Sequence, residues 1–105
     1  MYIRFINNKI RKVCETHSVA VRRLGLRNAD LLVQRITEIE AADNLQILRA
    51  LPAPRCHPLS GDRNGQYVVD LVHPKRLVFL PATELGQIIE NLITEVIILE
   101  IVDYH

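Results

Sequence analysis

The hydrophobic and polar pattern is clearest in the middle of the chain, where two apolar segments flank a short turn. Residues 66–72 and 76–80 are rich in valine, leucine, tyrosine and phenylalanine, and His-Pro-Lys at 73–75 separates them. β-branched and aromatic residues favour strands, and proline pre-sets a turn dihedral. The pattern predicts a β-hairpin, entered through a polar loop at residues 57–65 whose two glycines allow backbone conformations that other residues resist.

The N-terminal part of the chain predicts one short strand and two helices. Residues 2–6 alternate enough for a first strand, and we expect a helix to begin near residue 8, capped by Asn7 or Asn8. The apolar residues over 10–24 fall on one face of this helix at about 3.6 residues per turn. Gly25 is a natural end for that helix, and we expect a second helix, capped by Asn28, to run to about Ala42. A link of three residues between the two helices predicts antiparallel neighbours.

The remaining segments complete a predicted α+β fold. Residues 45–56 lose the periodicity and contain two prolines, so we expect a loop that leads to the sheet. The apolar spacing over Leu85 to Ile93 is typical of a short amphipathic helix, and the apolar run at 96–102 predicts a buried last strand. The order strand, helix, helix, strand, strand, short helix, strand predicts a mostly antiparallel sheet packed against an antiparallel helix pair.

Length and composition restrict the class of protein. A chain of 105 residues predicts a single domain over residues 1–105. We see no apolar run long enough to span a membrane and no signal-peptide pattern, so we expect a soluble, cytoplasmic protein without a membrane partner. Cys14 and Cys56 are too few for a disulfide framework, and we expect both to be reduced packing residues.

Charge is unevenly distributed, although the net charge is only +1. Residues 1–35 hold eight Lys and Arg against two acids, and residues 82–105 hold five acids with no Lys or Arg. The asymmetry predicts a basic face, including Arg22 and Arg23, that could meet phosphates. A solvated helix face is the alternative interpretation of the same residues.

Three segments resemble a known family of toxins. Residues 57–63 (HPLSGDR) lead into the hairpin, residues 76–79 (RLVF) open its second strand, and residues 100–105 (EIVDYH) end the chain. Together they resemble the HigB toxins, also called plasmid maintenance system killer proteins, of the RelE/ParE superfamily. The resemblance covers essentially the whole chain and implies a RelE/ParE-like fold of order β-α-α-β-β-(α)-β. It also implies a bacterial type II toxin that cuts mRNA on the ribosome.

The resemblance implies partners as well as an activity. It implies a HigA-like helix-turn-helix antitoxin, the ribosome and its mRNA, contact with operator DNA only through the antitoxin complex, and no cofactor. Two features depart from the family pattern. Ser60 stands where many relatives have a loop lysine, and the predicted helix at residues 85–93 is absent from the shortest relatives.

Carried over position by position, the resemblance assigns catalytic roles to His57, Arg76, Asp103, Tyr104 and His105. Metal-free cleavage of RNA uses the 2′-hydroxyl as nucleophile, so a site needs a base, an acid and a positive charge at phosphorus. Histidines exchange protons near neutral pH, so His57 and His105 would form the proton-handling pair, with acid and base unassigned. Arg76 would stabilise the phosphate, Asp103 would orient a histidine or take part directly, and Tyr104 would stack on a base or donate a hydrogen bond.

Four further cations are candidate RNA-binding residues: Arg63 and Lys75 near the hairpin, and Arg22 and Arg23 on the first helix. No metal site is expected, because adjacent residues such as Cys56 and His57 rarely reach one zinc ion together. Two other functions stay open. One is a ParE-like, non-enzymatic inhibitor of DNA gyrase, and the other is a catalytically inactive homologue kept for binding its antitoxin.

Overall fold

A computed structural model describes residues 1–104, which form five strands and four α-helices. The strands are β1 Tyr2–Phe5, β2 His57–Pro58, β3 Tyr67–Asp70, β4 Lys75–Pro81 and β5 Glu95–Asp103. The helices are α1 Asn8–Glu15, α2 His17–Leu24, α3 Leu26–Ala41 and α4 Leu45–Ala50. Two single-turn 3₁₀ helices, Gly61–Arg63 and Glu90–Leu92, lie in the connections before β3 and before β5.

The strands form one sheet in the order β1-β5-β4-β3-β2. The pairs β2–β3, β3–β4 and β4–β5 are antiparallel, and only the pair β1–β5 is parallel. The predicted hairpin is confirmed, with Tyr67 opposite Phe79 and Asp70 opposite Arg76. Its turn contains a cis His73–Pro74 peptide bond. The α+β class and the mostly antiparallel sheet are therefore both as predicted.

One face of the sheet packs against the helices and forms the core. Alternation along β4 and β5 sends Leu77, Phe79, Val96 and Ile98 to this face, and all four are fully buried. The helices contribute Leu32, Ile39, Leu45 and Leu48 to the same core. The opposite face carries no helix within residues 1–104, and we call it the open face. Because every second side chain of a strand points there, His57, Asp70, Arg76 and Glu100 lie on that side together with the buried Val68 and Val78.

The predicted first helix begins near residue 8, as expected, but it is not one continuous element to residue 24. Thr16 has an extended backbone, with φ −121° and ψ 102°, and it ends α1 and begins α2. Residues 15–18 are all polar, so the apolar stripe is interrupted for more than a turn. The Thr16 carbonyl accepts the first hydrogen bonds of the new helix, from the N–H groups of Val19 and Ala20. The polar interruption was the available signal for the break.

The second predicted helix is confirmed, but it begins earlier and Asn28 is not its cap. α3 begins at Leu26, directly after Gly25, whose φ of 84° favours glycine. One residue, not three, therefore separates α2 from α3. Asn28 is buried inside the helix, and its side-chain oxygen accepts a hydrogen bond of 2.8 Å from the backbone N–H of Val72. Asparagine often caps helices, but Asn28 instead makes a tertiary contact to the hairpin turn.

The predicted loop over residues 45–56 contains an unpredicted helix, α4. Asn44 caps it, since its side-chain oxygen accepts a 3.0 Å hydrogen bond from the backbone N–H three residues further on. Leu45 and Leu48 are completely buried on the inner side of the single turn and a half. Pro52 follows the end of α4 and prevents its continuation. The helix is too short for its periodicity to stand out in the sequence.

The predicted helix over residues 85–93 is wrong. These residues, all of which the structure describes, contain the second 3₁₀ helix but no α-helix. Gly86 and the β-branched isoleucines lower helix propensity in this segment. Leu85 and Leu92 are exposed, whereas Ile93 is buried in the core. The apolar spacing therefore did not correspond to one buried helix face.

Candidate active site on the open face of the sheet

Three of the predicted catalytic residues lie on the open face. Residues directly opposite each other on neighbouring strands share a face, so His57 lies beside Val68, and Arg76 lies beside Asp70. Tyr104 follows the end of β5, and its ring lies under the Arg76 guanidinium. The short strand β2, which the sequence did not predict, is what fixes His57 to the sheet edge.

His57 is half-buried and has a defined ring orientation. Its Nδ1 donates a hydrogen bond of 2.7 Å to the backbone carbonyl of Arg55. A carbonyl oxygen can only accept, so the contact requires the proton to be on Nδ1. In the neutral ring Nε2 is then unprotonated and can accept a proton. This is the tautomer that a general base needs when Nε2 faces the substrate.

The guanidinium of Arg76 lies between a carboxylate and an aromatic ring. Its Nε is 3.4 Å from Oδ1 of Asp70, and its central carbon is 5.1 Å from the centroid of the Tyr104 ring. The backbone N–H of Tyr104 donates a 2.8 Å hydrogen bond to the Pro74 carbonyl, which holds the ring in place beside the hairpin turn. Arg76 is therefore a restrained cation on a partly buried surface.

Asp70 is the site residue that the sequence analysis missed. Its second oxygen, Oδ2, is 3.4 Å from Nη1 of Arg55, so one carboxylate serves two guanidinium groups. The carboxylate is only 19% exposed, and Oδ1 finds no hydrogen-bond partner within residues 1–104 because Arg76 is close but poorly aligned. The three charges sum to +1. A turn of residues 73–75, as predicted, would place Val72 and not Asp70 opposite Arg76, so the predicted hairpin gave no signal for Asp70.

A buried arginine of the helix layer supports this network from behind. Arg35 on α3 is 6% exposed, and its Nε donates a 2.6 Å hydrogen bond to the carbonyl of Asp70. Its other two nitrogens donate to Glu38 and to the carbonyl of Ala53. The guanidinium charge is thus paired with the Glu38 carboxylate, and each of its three nitrogens donates a hydrogen bond. A buried charge needs such partners to offset the loss of hydration. Arg35 thus ties the end of β3 and the chain before His57 to the same helix.

Asp103 does not join Arg76 and Tyr104. It lies opposite Lys75 across the β4–β5 pair, and Nζ of Lys75 is 2.9 Å from Oδ1 of Asp103. Because side chains alternate along a strand, this pair points away from the face that carries Arg76. The structure therefore separates Asp103 from Arg76 and Tyr104. His105 lies outside the described residues.

The predicted RNA-binding cations lie on two different sides of the molecule. Nη2 of Arg63 is 3.3 Å from Oε1 of Glu100, and Nη1 of Arg63 donates to Gln66. Arg22 and Arg23 are exposed in the last turn of α2, on the helix layer. A single RNA strand crossing the open face would therefore meet Arg63 but not the α2 pair.

Neither cysteine is suited to nucleophilic or metal chemistry. Both are free, and burial raises the pKa of the Cys14 thiol and of the Cys56 thiol to about 12. A thiol needs its thiolate form to attack or to bind metal, and burial disfavours that form. Within residues 1–104, no three His, Cys, Asp or Glu side chains come together in a group that could hold a metal ion.

Among solved structures, the chain is similar to a YoeB/ParE toxin from Agrobacterium tumefaciens. The superposition has a TM-score of 0.63 and covers 100% of both chains, at 12% sequence identity. The chain has the fold of this toxin. The predicted RelE/ParE-like fold class is thereby confirmed, while an identity of 12% extends the likeness to the YoeB/ParE toxin no further than the fold. A scan against protein-family models and a search of the curated proteins gave no match.

The helices of residues 1–104 carry no membrane span. None of them has both the length and the apolar composition that crossing a bilayer requires.

Proposed function

We propose that this chain is the toxin of a type II toxin–antitoxin system and that it cuts mRNA on the ribosome. The observation that carries the proposal is the open face itself. There an oriented histidine, His57, shares one surface with a restrained cation, Arg76, and an aromatic ring, Tyr104. The fold of a YoeB/ParE toxin supports the toxin class, and the HigB-like segments support the nuclease activity.

The proposed reaction uses the RNA 2′-hydroxyl and no metal. A base removes the 2′-hydroxyl proton, the 2′-oxygen bonds to phosphorus, and the bond from phosphorus to the 5′-oxygen breaks as an acid protonates that oxygen. The products are a 2′,3′-cyclic phosphate and a 5′-hydroxyl. His57 and His105 are the proposed proton-handling pair, and each such role contributes typically about 10²- to 10⁴-fold.

The geometry of the open face is compatible with one phosphate between His57 and Arg76. Strand spacings of about 4.8 Å and a rise of about 3.4 Å per residue put their Cα atoms roughly 12 Å apart. An imidazole and an extended arginine side chain together bridge such a gap. Arg76 would meet two phosphate oxygens with its planar fork, and the stacked Tyr104 ring would limit its movement.

The proposal gives the remaining predicted residues supporting roles. The ion pair between Asp103 and Lys75 fixes the backbone immediately before Tyr104 and would orient the residue that follows it. Arg63 would contact the RNA backbone beside His57, and Arg22 and Arg23 would contact RNA from the helix layer. The proposed partners are a HigA-like helix-turn-helix antitoxin, the ribosome with its mRNA, and operator DNA through the antitoxin complex.

A ParE-like inhibitor of DNA gyrase is the second candidate. The observation that favours it is the pairing of Arg63 with Glu100 and of Lys75 with Asp103, which leaves fewer uncompensated charges for RNA near the hairpin. Ser60 in place of a loop lysine favours a third candidate, a catalytically inactive homologue that binds antitoxin. All three candidates are compatible with the fold.

The experiment that separates them is mapping of mRNA 5′ ends after brief induction of the chain in bacteria. The native chain is compared with His57→Ala and with His73→Ala, a matched change at an exposed histidine of the hairpin turn. New ends in translated frames that vanish only in His57→Ala support the nuclease. Growth arrest without new ends supports a gyrase-type target, and absence of arrest supports the inactive homologue.

A further inference from the structure

The last strand has an unpaired edge. β1 accompanies β5 only from Glu95 to Ile98, after which the chain turns away into α1. After a register shift at Leu99, residues 100–103 of β5 continue beside β4 on one side but have no strand on the other within residues 1–104. Four residues at about 3.4 Å each make a free edge roughly 14 Å long.

The free edge offers backbone groups with the spacing of a strand. The N–H of Tyr104 points to the hairpin, since it bonds the Pro74 carbonyl. Backbone groups alternate in direction along a strand, so those of Ile101 and Asp103 point to the unpaired side. Such groups are a template for a further strand, and proteins usually cover or block them.

The edge faces a groove instead of open solvent. A groove of about 520 Å³ lies between β5 and the helix pair α1–α2. Its apolar lining includes Ile10 and Val13 of α1, Leu24 of α2, and Leu99 and Ile101 of β5. An added strand would thus place alternate side chains on an apolar floor while its backbone bonds to the edge.

The rim of the groove is basic. Lys9 and Arg23 line it, and both also line an adjacent depression with Lys12 and Arg22. All four are exposed, and none forms an ion pair with an acid of the part of the chain that the structure describes. Glu100 is the acid of the groove lining, and its carboxylate is paired with Arg63.

We propose that this groove binds an extended acidic segment of a protein partner, which adds a strand to β5. The unpaired edge requires a peptide backbone, the apolar floor requires alternate apolar side chains, and Lys9 and Arg23 favour carboxylates. A nucleic acid would satisfy the cations but would leave the backbone groups of Ile101 and the apolar floor unused. The binding surface lies on the helix side of the sheet edge, and the proposal is independent of the nuclease activity.

The probe for the test is a blocked ten-residue peptide of alternating valine and glutamate. Its binding to ¹⁵N-labelled protein is followed by NMR, through amide hydrogen exchange at Ile101 and Asp103. A peptide with proline at alternate positions, which cannot donate to the edge, is the peptide control. The double variant Lys9→Glu with Arg23→Glu removes the rim charges, and Arg27→Glu is a matched reversal of an exposed cation outside the groove.

The expected result is slowed exchange at the two edge amides with the Val-Glu peptide and not with the proline peptide. The double reversal should weaken binding about tenfold or more, and Arg27→Glu should change it less than about twofold. Lys9→Gln with Arg23→Gln should weaken it to an intermediate degree, which guards against misfolding of the double reversal. The proposal is overturned if the edge amides stay unprotected, if a poly-uridine oligonucleotide binds the rim and the Val-Glu peptide does not, or if β5 edges of two copies pair and exclude the peptide.

Discussion

The guanidinium carbon of Arg76 lies 5.1 Å from the centre of the Tyr104 ring. Arg76 lies on β4 and Tyr104 directly follows β5, and they meet because β4 and β5 pair with Arg76 opposite Val102. A cation held over a ring keeps its charge while losing rotational freedom. This contact links the predicted phosphate-binding arginine to the chain end, where the family resemblance places further site residues.

Replacing Tyr104 should separate the role of its ring from that of its hydroxyl. A cation–π contact at a partly exposed site contributes about 0.5–1 kcal/mol, so Tyr104→Ala should slow mRNA cleavage on ribosomes about two- to fivefold. Tyr104→Phe keeps the ring and should stay within about twofold of the native rate. Equal losses in both variants would show that the hydroxyl acts and that the stacked ring does not.

Asp70→Asn tests whether the shared carboxylate positions Arg76. The change keeps the side-chain size but removes the charge that holds Arg76 and Arg55, and the local charge rises from +1 to +2. We expect kcat for mRNA cleavage to fall about tenfold, because Arg76 loses its fixed position. We expect KM to stay the same or fall, because added positive charge attracts RNA.

The split between kcat and KM is the decisive measurement for Asp70→Asn. A merely structural role would lower stability, so urea unfolding of the variant serves as the control, with an expected change of less than about 1 kcal/mol. A rise in KM with kcat unchanged would contradict the positioning role.

The sequence predicted the elements whose signals lie within a few neighbouring residues. The hairpin and the α+β class follow from alternation and from a proline-containing turn. The helix break at Thr16 was missed because apolar residues on both sides of it fit one helical period. α4 was missed because a single turn and a half gives too little periodicity, although Asn44 marked its start.

The site network was less predictable because it depends on contacts between distant segments. Arg35 belongs to a helix and bonds the carbonyl of Asp70, 35 positions away. The hydrogen bond of His57 to the Arg55 carbonyl depends on the positive φ of 50° at Arg55, which no pattern in the sequence indicated. Asp70 was missed because the predicted three-residue turn pairs Val72 with Arg76, whereas the observed partner of Arg76 is Asp70.

Tyr67→Phe tests the anchor of the segment between β4 and β5. Tyr67 is 4% exposed and its hydroxyl donates a 2.6 Å hydrogen bond to Oε2 of Glu90. In Tyr67→Phe the Glu90 carboxylate still has an ion-pair partner, because Nη1 of Arg49 lies 2.7 Å from its Oε2. We therefore expect a loss of about 1.5 kcal/mol in the free energy of unfolding, measured in urea. Tyr2 is 78% exposed, so Tyr2→Phe is the matched control and should leave the free energy of unfolding nearly unchanged. Equal losses of unfolding free energy in the two variants would contradict the anchoring role of Tyr67.

Cys56 should make the stability depend on pH in alkaline solution. Burial raises the pKa of its thiol from 9.0 to about 12, so above pH 9 the unfolded chain loses a proton that the folded chain retains. This thiol's contribution to stability is complete below pH 9 and is lost as the pH rises from 9 to 12, by up to about 1.4 kcal/mol per pH unit.

The measurement is urea unfolding of the native chain and of Cys56→Ala at several pH values. The difference between their unfolding free energies should be constant from pH 6 to 8, where the thiol is protonated in both states. Above pH 9 it should shrink, because only the native chain loses the contribution of this thiol. A difference that stays constant up to pH 11 would contradict the assigned burial of the thiol.

Cleavage of a ribosome-bound mRNA by purified protein tests the central claim most directly. The native chain is compared with His57→Asn, whose amide can still donate to the Arg55 carbonyl but cannot transfer a proton. The substrate is made with and without a 2′-O-methyl group at the cut nucleotide. We predict a 2′,3′-cyclic phosphate end, no cut in the methylated RNA, and a rate about 10²- to 10⁴-fold lower in His57→Asn. A native rate in His57→Asn, or a cut that persists beside the 2′-O-methyl group, would contradict the account.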